Sequence, residues 1–123
     1  MRLMSFAMTT AQVLDETKTV TRRCGWLMAK VGDRILAIEK GQGLKKGEHV
    51  KSIKPIEIID VRREQLRRMT DEPKYGLVEC RKEGFTGNHL MATPNGFVEE
   101  FCKHNDVTHD TVITRLEFKY VMD

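Results

Sequence analysis

The chain has 123 residues, of which 40% are hydrophobic and 32% are charged, a composition that indicates one folded domain and excludes a disordered tail. Its net charge of +3 permits binding to nucleic acid without requiring it. No apolar run reaches the length of a membrane span, and the segment 1–6 is too short for the apolar part of a signal peptide, so we expect a cytoplasmic protein that does not bind membranes.

The N-terminal part of the chain is predicted to consist of short strands joined by turns. Alternating apolar residues predict a first strand over residues 2–8, and a short helix follows over residues 11–16. The β-branched residues within 17–23 favour a second strand. A largely apolar run then predicts a buried strand over residues 34–39.

The C-terminal part combines a long strand with helices. A polar loop with three glycines covers residues 40–49, and the longest predicted strand covers residues 50–63. Pro55 within that strand predicts an edge position or a bulge. Helical spacing covers residues 75–82, and the pair Thr93-Pro94 is typical of a helix start, here for a helix that continues through residue 102.

The last predicted strand and the order of the elements together indicate the fold class. Residues 111–121 alternate apolar with polar side chains, which is typical of a half-buried antiparallel strand. Helices are inserted among the strands and do not alternate with them regularly. We therefore predict one α+β domain over residues 1–123, built as a small mixed β-barrel with a few short helices, and not a doubly wound parallel sheet.

The cysteines and histidines indicate neither a disulfide framework nor a metal site. The three cysteines, Cys24, Cys80 and Cys102, are widely spaced and form no Cys-x-x-Cys pair, so we expect buried, reduced thiols. Cys102 could bind a metal together with His104 and His109, but no His-x-x-x-His or His-x-His spacing is present. We predict no metal and no cofactor. Trp26 is expected to pack in or beside the core and not to stack on a base.

The segment Lys-Thr-Val-Thr-Arg-Arg at residues 18–23 is the part of the chain richest in chemically active groups. In a strand, Thr19 and Thr21 would share one face and Lys18 and Arg22 the other, although a bend could bring Lys18 and Thr21 to one cleft. A lysine, two hydroxyls and two guanidiniums suit an anionic ligand that accepts hydrogen bonds. The simpler alternative is an edge strand that its charges keep soluble.

Paired basic residues recur along the chain. The pairs are Arg22-Arg23, Lys45-Lys46, Arg62-Arg63 and Arg67-Arg68. The first two lie near loops that we expect to be exposed, and the lysine pair would be available to a phosphate. Pairs that line one groove would favour a phosphate backbone as partner, whereas evenly spread pairs would be only a solvated surface.

Three features together resemble a known family. They are the segment 18–23, Gly32-Asp33 before an apolar strand, and Glu83-Gly84-Phe85 ahead of a helix that ends near Phe101. Over residues 1–121 this pattern resembles the ASCH domain family, whose β-barrel is related to the PUA fold of RNA-modification proteins. It is most similar to the compact single-domain versions carried in bacterial and bacteriophage genomes.

The resemblance implies a cleft for RNA beside the Lys/Thr/Arg segment. We therefore predict an RNA or modified-nucleoside binding module, whose partner is RNA or a nucleoside or nucleotide. The predicted nucleic-acid contacts are Lys18, Thr19, Arg22, Arg23, Lys45 and Lys46. In this interpretation Thr21 and Glu83 read the edge of a base. Glu83 could instead pair with its neighbours Arg81 or Lys82.

The resemblance also implies an alternative enzymatic function. One branch of the family hydrolyses the amide of N4-acetylcytidine with a lysine, a threonine and a glutamate, which correspond here to Lys18, Thr21 and Glu83. In this alternative Lys18 is the general base, Thr21 the nucleophile and Glu83 the acid that protonates the leaving nitrogen. A desolvated lysine near Arg22 and Arg23 would have a lowered pKa, as such a base requires.

Overall fold

Five strands form one sheet in the computed structural model, which describes residues 1–122. The strands are β1 (Arg2–Ser5), β2 (Val20–Arg23), β3 (Arg34–Ile38), β4 (Ser52–Gln65) and β5 (Val112–Tyr120). Their order in the sheet is β1-β3-β4-β5-β2, with β1 parallel to β3 and every other pair antiparallel. The sheet curls into a half-barrel, which confirms the predicted mixed α+β architecture. Strands β1 and β2 are its two edges.

Several short helices pack around the sheet. They are α1 (Thr10–Leu14), α2 (Arg68–Asp71), α3 (Pro73–Lys82) and α4 (Pro94–Asn105), with 3-10 turns at Ala7–Thr9 and Leu90–Ala92. Proline at the start of α3 and α4 supplies the helical φ angle at a position that has no intrahelical N–H partner. At α4 the hydroxyl of Thr93 accepts a hydrogen bond from the Gly96 N–H at 3.2 Å, so the predicted helix start is confirmed.

Two predicted strands are shorter than the sequence indicated. The first strand ends at Ser5, and the chain then turns through the 3-10 segment Ala7–Thr9. Within residues 17–23 only Val20–Arg23 are strand. The amides of Thr17 and Lys18 instead donate to the carbonyl of Gln12 near the end of α1, at 3.0 and 3.2 Å. These backbone hydrogen bonds to α1 therefore override the β propensity of the first part of this segment.

Pro55 lies in a central strand, so the expectation of an edge position was wrong. Strand β4 is flanked by β3 and β5, and Pro55 is opposite Leu36. The missing N–H is tolerated there because pairing with β5 begins only at Ile56. A register irregularity between Ala37 and Ile38 lies close by on the β3 side, in keeping with the alternative expectation of a bulge.

The sheet separates two hydrophobic clusters. Leu116 and Phe118 of β5 belong to the first, with other residues of the sheet interior, and Ile113 belongs to the second, which lies under α2, α3 and α4. Alternation along β5 places Arg115 on the same side as Ile113. Because β2 pairs with β5, Arg22 lies opposite Arg115 and Thr21 lies opposite Leu116. Arg22 therefore faces the side of the sheet that carries the second hydrophobic cluster, and Thr21 faces the side that carries the first.

The cysteines differ in exposure. Cys80 is buried in the second hydrophobic cluster, as expected, and Cys102 is partly buried. Cys24 is exposed, so the expectation of a buried thiol was wrong for this residue. It directly follows the edge strand β2, where the chain turns at Gly25 and no layer covers it. Across residues 1–122, no helix has both the length and the apolar character that crossing a membrane requires.

Candidate functional site

A cleft of about 270 Å³ lies between the turn Ala7–Thr9, strand β2 and helix α4. Its lining includes the charged side chains of Lys18, Arg22, Arg23 and Glu83 and the hydroxyl of Thr21. The apolar part of the wall is formed by Phe6, Ala7, Met8, Phe85, Met91, Phe97 and Phe101, while the further polar residues Ser5, Thr9, His104 and Asn105 complete the lining. A mainly apolar wall that contains a few polar and charged side chains is typical of a ligand site.

The backbone around Lys18 is held from three sides. Its amide bonds to Gln12, and its carbonyl accepts a hydrogen bond from the hydroxyl of Tyr120. The next residue, Thr19, donates its amide to the carbonyl of Lys82 at 2.8 Å and accepts from the amide of Phe118 at 2.9 Å. These bonds join β2 to the end of α3 and to β5, so they bring Lys18 next to the residue that follows α3, Glu83.

Lys18 and Glu83 form a buried ion pair. The Lys18 Nζ atom lies 2.9 Å from Glu83 Oε1 and 2.7 Å from the Glu83 carbonyl oxygen. The same ammonium lies 6.0 Å from the ring centre of Phe6 and 5.8 Å from that of Phe85. Burial lowers the pKa of Lys18, and the neighbouring charges of Arg23 and Arg22 add to this effect, while Glu83 opposes it.

Arg22 is bonded to carboxylates away from solvent. Its guanidinium donates to Glu83 Oε2 at 3.2 Å, to Glu79 Oε1 at 2.6 Å and to Glu64 Oε2 at 3.4 Å, and its side chain is 0% exposed. Burial disfavours the charged form of Arg22, but the negative charges of Glu83 and Glu79 outweigh this effect and raise the pKa of Arg22. Arg115 donates to both oxygens of Glu79, so this network continues into β5.

Arg23 has different surroundings from its neighbour. Its Nε donates to the Thr21 hydroxyl oxygen at 2.9 Å and its Nη2 to the Ser5 carbonyl at 2.6 Å, which links edge strand β2 to edge strand β1. The guanidinium carbon lies 4.8 Å from the centre of the Phe6 ring. Within residues 1–122 no carboxylate lies within ion-pair distance of Arg23. Burial lowers its pKa to about 10, so it remains charged at neutral pH. The charge of Glu83 opposes part of this shift, but it is not at ion-pair distance, and a largely desolvated cation without a directly bonded carboxylate is suited to an anionic ligand.

The structure gathers most, but not all, of the predicted site residues. Lys18, Thr21, Arg22, Arg23 and Glu83 surround the cleft. Among these side chains Lys18 bonds to Glu83, and Thr21 bonds to Arg23. Two further residues that the sequence associated with this site, Arg81 and Lys82, are not partners of Glu83, and Lys82 instead contacts Glu79 at 3.9 Å.

Three predicted nucleic-acid contacts lie outside the cleft lining. Thr19 joins β2 to its neighbours through its backbone. Lys45 and Lys46 are exposed in the loop of residues 40–49. A second depression, lined by Ala7, Thr10, Glu39, Lys40, Leu44, Glu48, His49 and Lys51, connects that loop to the cleft because the two share Ala7.

Other predicted features are accounted for elsewhere in the fold. Trp26 is partly buried against the first hydrophobic cluster, with the guanidinium of Arg2 5.0 Å from its ring, so the packing interpretation is confirmed. In the described part of the chain, no three His, Cys, Asp or Glu side chains are grouped so that they could hold a metal ion.

The sequence indicated Glu83, one buried partner of Arg22, as a site residue, but it did not indicate the rest of the network, which consists of Glu64, Tyr75, Glu79 and Arg115. Tyr75, Glu79 and Glu83 are spaced by four residues, so they share one side of α3 and its end, and this repeat was a usable signal. Glu64 and Arg115 carried no comparable signal, because only the register of β2 and β4 against β5 brings them to the network. Glu79 itself is 2% exposed and bridges Arg22 to Arg115.

Solved structures of two other proteins are similar to this fold. The ASCH domain from Lactobacillus crispatus JV V101 is 19% identical, with a TM-score of 0.55 over 97% of this chain and 79% of that chain. A protein from Enterococcus faecalis V583, assigned to the family DUF984, is 13% identical, with a TM-score of 0.62 over 98% of this chain and 76% of that chain. No family model and no curated protein matches the sequence.

Proposed function

From the premise that the chain has an ASCH-like fold, we propose that it is a binding module for RNA or a modified nucleoside. The observation that carries this proposal is Arg23, a guanidinium in an aromatic cleft without a carboxylate partner among residues 1–122. An incoming phosphate would supply a directly bonded anion. The apolar wall of the cleft, which includes the exposed side chain of Met8, supplies a surface against which a base can pack.

The size of the cleft favours an unpaired nucleotide. A volume of about 270 Å³ lies just below the usual range for small-molecule sites and is too small for a duplex. In the proposed complex, Arg23 binds phosphate, and the base lies against the apolar wall near Phe6 and Phe85. Thr21 and the Lys18–Glu83 pair offer hydrogen-bonding groups for the edge of the base.

Further phosphates of a strand would follow the loop of residues 40–49. This loop adjoins the cleft at Ala7 and carries the exposed Lys45 and Lys46. In this part of the proposal these lysines contribute sequence-independent attraction, so their effect should depend on the length of the RNA and on salt.

The test is a fluorescence anisotropy titration with a single-stranded RNA oligonucleotide at several salt concentrations. Arg23→Met should weaken binding by about tenfold and reduce the dependence of log K on log salt by about 0.7, as expected for one lost phosphate contact. The matched control is Arg34→Met, because Arg34 is an exposed arginine that pairs with Glu57 on β3 and β4, outside the cleft. Absence of RNA binding by the unmodified protein, or equal affinities for the two variants, would contradict the proposal.

A second candidate function is amide hydrolysis of an N4-acylated cytidine. It is favoured by the burial that lowers the pKa of Lys18, and by the common cleft of Lys18, Thr21 and Glu83. In this candidate the Thr21 oxygen attacks the acyl carbonyl and Lys18 takes the hydroxyl proton, which passes through Glu83 to the departing amine. Water then hydrolyses the acyl ester on Thr21, which releases the carboxylic acid and restores the hydroxyl. Thr21 bonds to Arg23 and Lys18 bonds to Glu83, so a bound substrate would have to bring Thr21 and Lys18 together.

Incubation with N4-acetylcytidine, followed by chromatography for cytidine, separates the two candidates. Hydrolysis requires that the unmodified protein releases cytidine and that Lys18→Ala and Thr21→Ala do not. Absence of release at high protein concentration would reject this substrate and leave the binding function in place.

A further inference from the structure

We propose that Arg22 is a positioning residue that fixes the Glu83 carboxylate against Lys18 and does not itself contact the ligand. This inference rests on the proposed function of the cleft. It separates the two adjacent arginines, because it leaves Arg23 as the arginine that binds the anion. It also gives Glu79 and Arg115, which lie outside the cleft lining, a part in shaping the site.

The Glu83 carboxylate is bonded to two cations, one on each oxygen. One carboxylate oxygen lies 2.9 Å from Lys18 Nζ, and the other lies 3.2 Å from Arg22 Nη1. With both oxygens bonded, rotation of the carboxylate would break at least one buried ion pair. The position of Glu83 in the cleft is therefore fixed by Lys18 on one oxygen and by Arg22 on the other.

Arg22 is itself anchored by α3. Its Nη2 atom donates to Glu79 Oε1 at 2.6 Å and to the Tyr75 hydroxyl at 3.2 Å, while its Nη1 atom donates to Glu83 Oε2. Glu79 is held in turn by Arg115, whose Nη2 lies 3.1 Å from Glu79 Oε2. A planar guanidinium can join two carboxylates at a fixed separation, whereas a lysine ammonium on a flexible stem cannot.

Arg22 leaves no room for a ligand. Its side chain is 0% exposed, and its Nη1 and Nη2 atoms already donate to three carboxylates, so that within residues 1–122 only its buried Nε is without a partner. A phosphate would have to displace one of these carboxylates and leave that group buried without a partner, which is costly. Arg23, one residue further along β2, faces the other way and keeps donor capacity toward the cleft.

These contacts lead to different expectations for the two arginines. Loss of a phosphate contact lowers both the affinity for RNA and its salt dependence. Loss of a positioning contact lowers the affinity and leaves the salt dependence unchanged, because the number of phosphates neutralised is the same. Glu79→Gln should behave in the second way even though Glu79 does not line the cleft.

The experiment compares Arg22→Lys and Glu79→Gln with Arg23→Met in the RNA titration. Arg22→Lys retains the positive charge, and Glu79→Gln retains the shape of the side chain, so both variants are conservative. Each is expected to weaken RNA binding by about tenfold with an unchanged salt slope. A salt slope that falls in Arg22→Lys as it does in Arg23→Met would overturn the proposal, and so would unchanged affinity in both conservative variants.

A second measurement needs no ligand. The ammonium of Lys18 is buried and bonded to Glu83, so its protons should exchange slowly enough for a ¹⁵N–¹H NMR signal at low temperature, which Lys18→Met would assign. We expect this signal to broaden or disappear in Arg22→Lys and in Glu79→Gln while the backbone spectrum remains that of the folded protein. An unchanged signal in both variants would overturn the positioning role. Failure of the unmodified protein to bind RNA would reject the proposed function, and the NMR measurement would still test the positioning role.

Discussion

Replacement of Glu79 by glutamine offers a quantitative test of the buried network. Both carboxylate oxygens of Glu79 accept hydrogen bonds from Arg115, and one of them also accepts from Arg22. Burial alone would raise the pKa of this carboxyl, but Arg115 and Arg22 outweigh burial and lower it from 4.5 to about 2. Glu79→Gln preserves the shape of the side chain and removes the charge.

The size and sign of the effect follow from linkage. A carboxyl whose pKa falls from 4.5 to about 2 on folding contributes about 3 kcal/mol to the free energy of unfolding at pH 7. Because the folded-state pKa is the lower one, this contribution is complete above the unfolded-state value and is lost as the pH falls toward the folded-state value. About 1 kcal/mol of it should remain near pH 3.

The assay is urea unfolding followed by circular dichroism at several pH values from 7 down to 3. Glu79→Gln should be less stable than the unmodified protein by about 3 kcal/mol at pH 7 and by about 1 kcal/mol at pH 3. The control is Glu99→Gln, since Glu99 is an exposed carboxylate on α4, and this change should have little effect at either pH. A difference of the same size at pH 7 and pH 3 would show that the effect does not come from the charge of Glu79.

Two further predictions concern packing and thiol reactivity. Gly84→Ala should destabilise the fold by about 1 kcal/mol or more beyond the loss caused by Gly87→Ala in thermal unfolding. Both glycines have positive φ, but a Cβ added at Gly84 would lie only 2.9 Å from the Gln12 side chain, whereas a Cβ at Gly87 would meet no neighbour. Equal losses of stability in the two variants would contradict this prediction. Cys24 should react with a thiol reagent in the folded protein, whereas Cys80, buried and with a pKa raised to about 11, should react only after unfolding; rapid reaction of both would contradict the burial pattern.

Local sequence signals predicted much of the fold. The Thr93-Pro94 pair marked the start of α4, and strict alternation marked β5, because both signals depend only on residues close together in the chain. The segments at residues 18–23 and 83–85 also supported an ASCH-like domain, which the solved structures confirm. Pro55 was assigned a possible edge position because its own chemistry disfavours a central strand, and the local start of β4–β5 pairing that permits it was not visible in the sequence.

The different surroundings of Arg22 and Arg23 could not be predicted from the sequence. Strand periodicity indicated that neighbouring residues face opposite sides, but it did not indicate which side α3 would cover. That depends on the register that places Arg22 opposite Arg115, and on the position of Glu79 on α3. Both are long-range features, so the sequence alone grouped the two arginines as equivalent phosphate contacts.

The most direct test of the proposed cleft is an NMR titration of ¹⁵N-labelled protein with a short single-stranded RNA. We expect chemical-shift changes to concentrate around the cleft, at Phe6, Thr21, Arg23 and Phe85, and to spare the exposed apolar surface near Leu27 and Met28. Absence of shifts at millimolar RNA, or shifts confined to residues outside the cleft, would contradict this expectation.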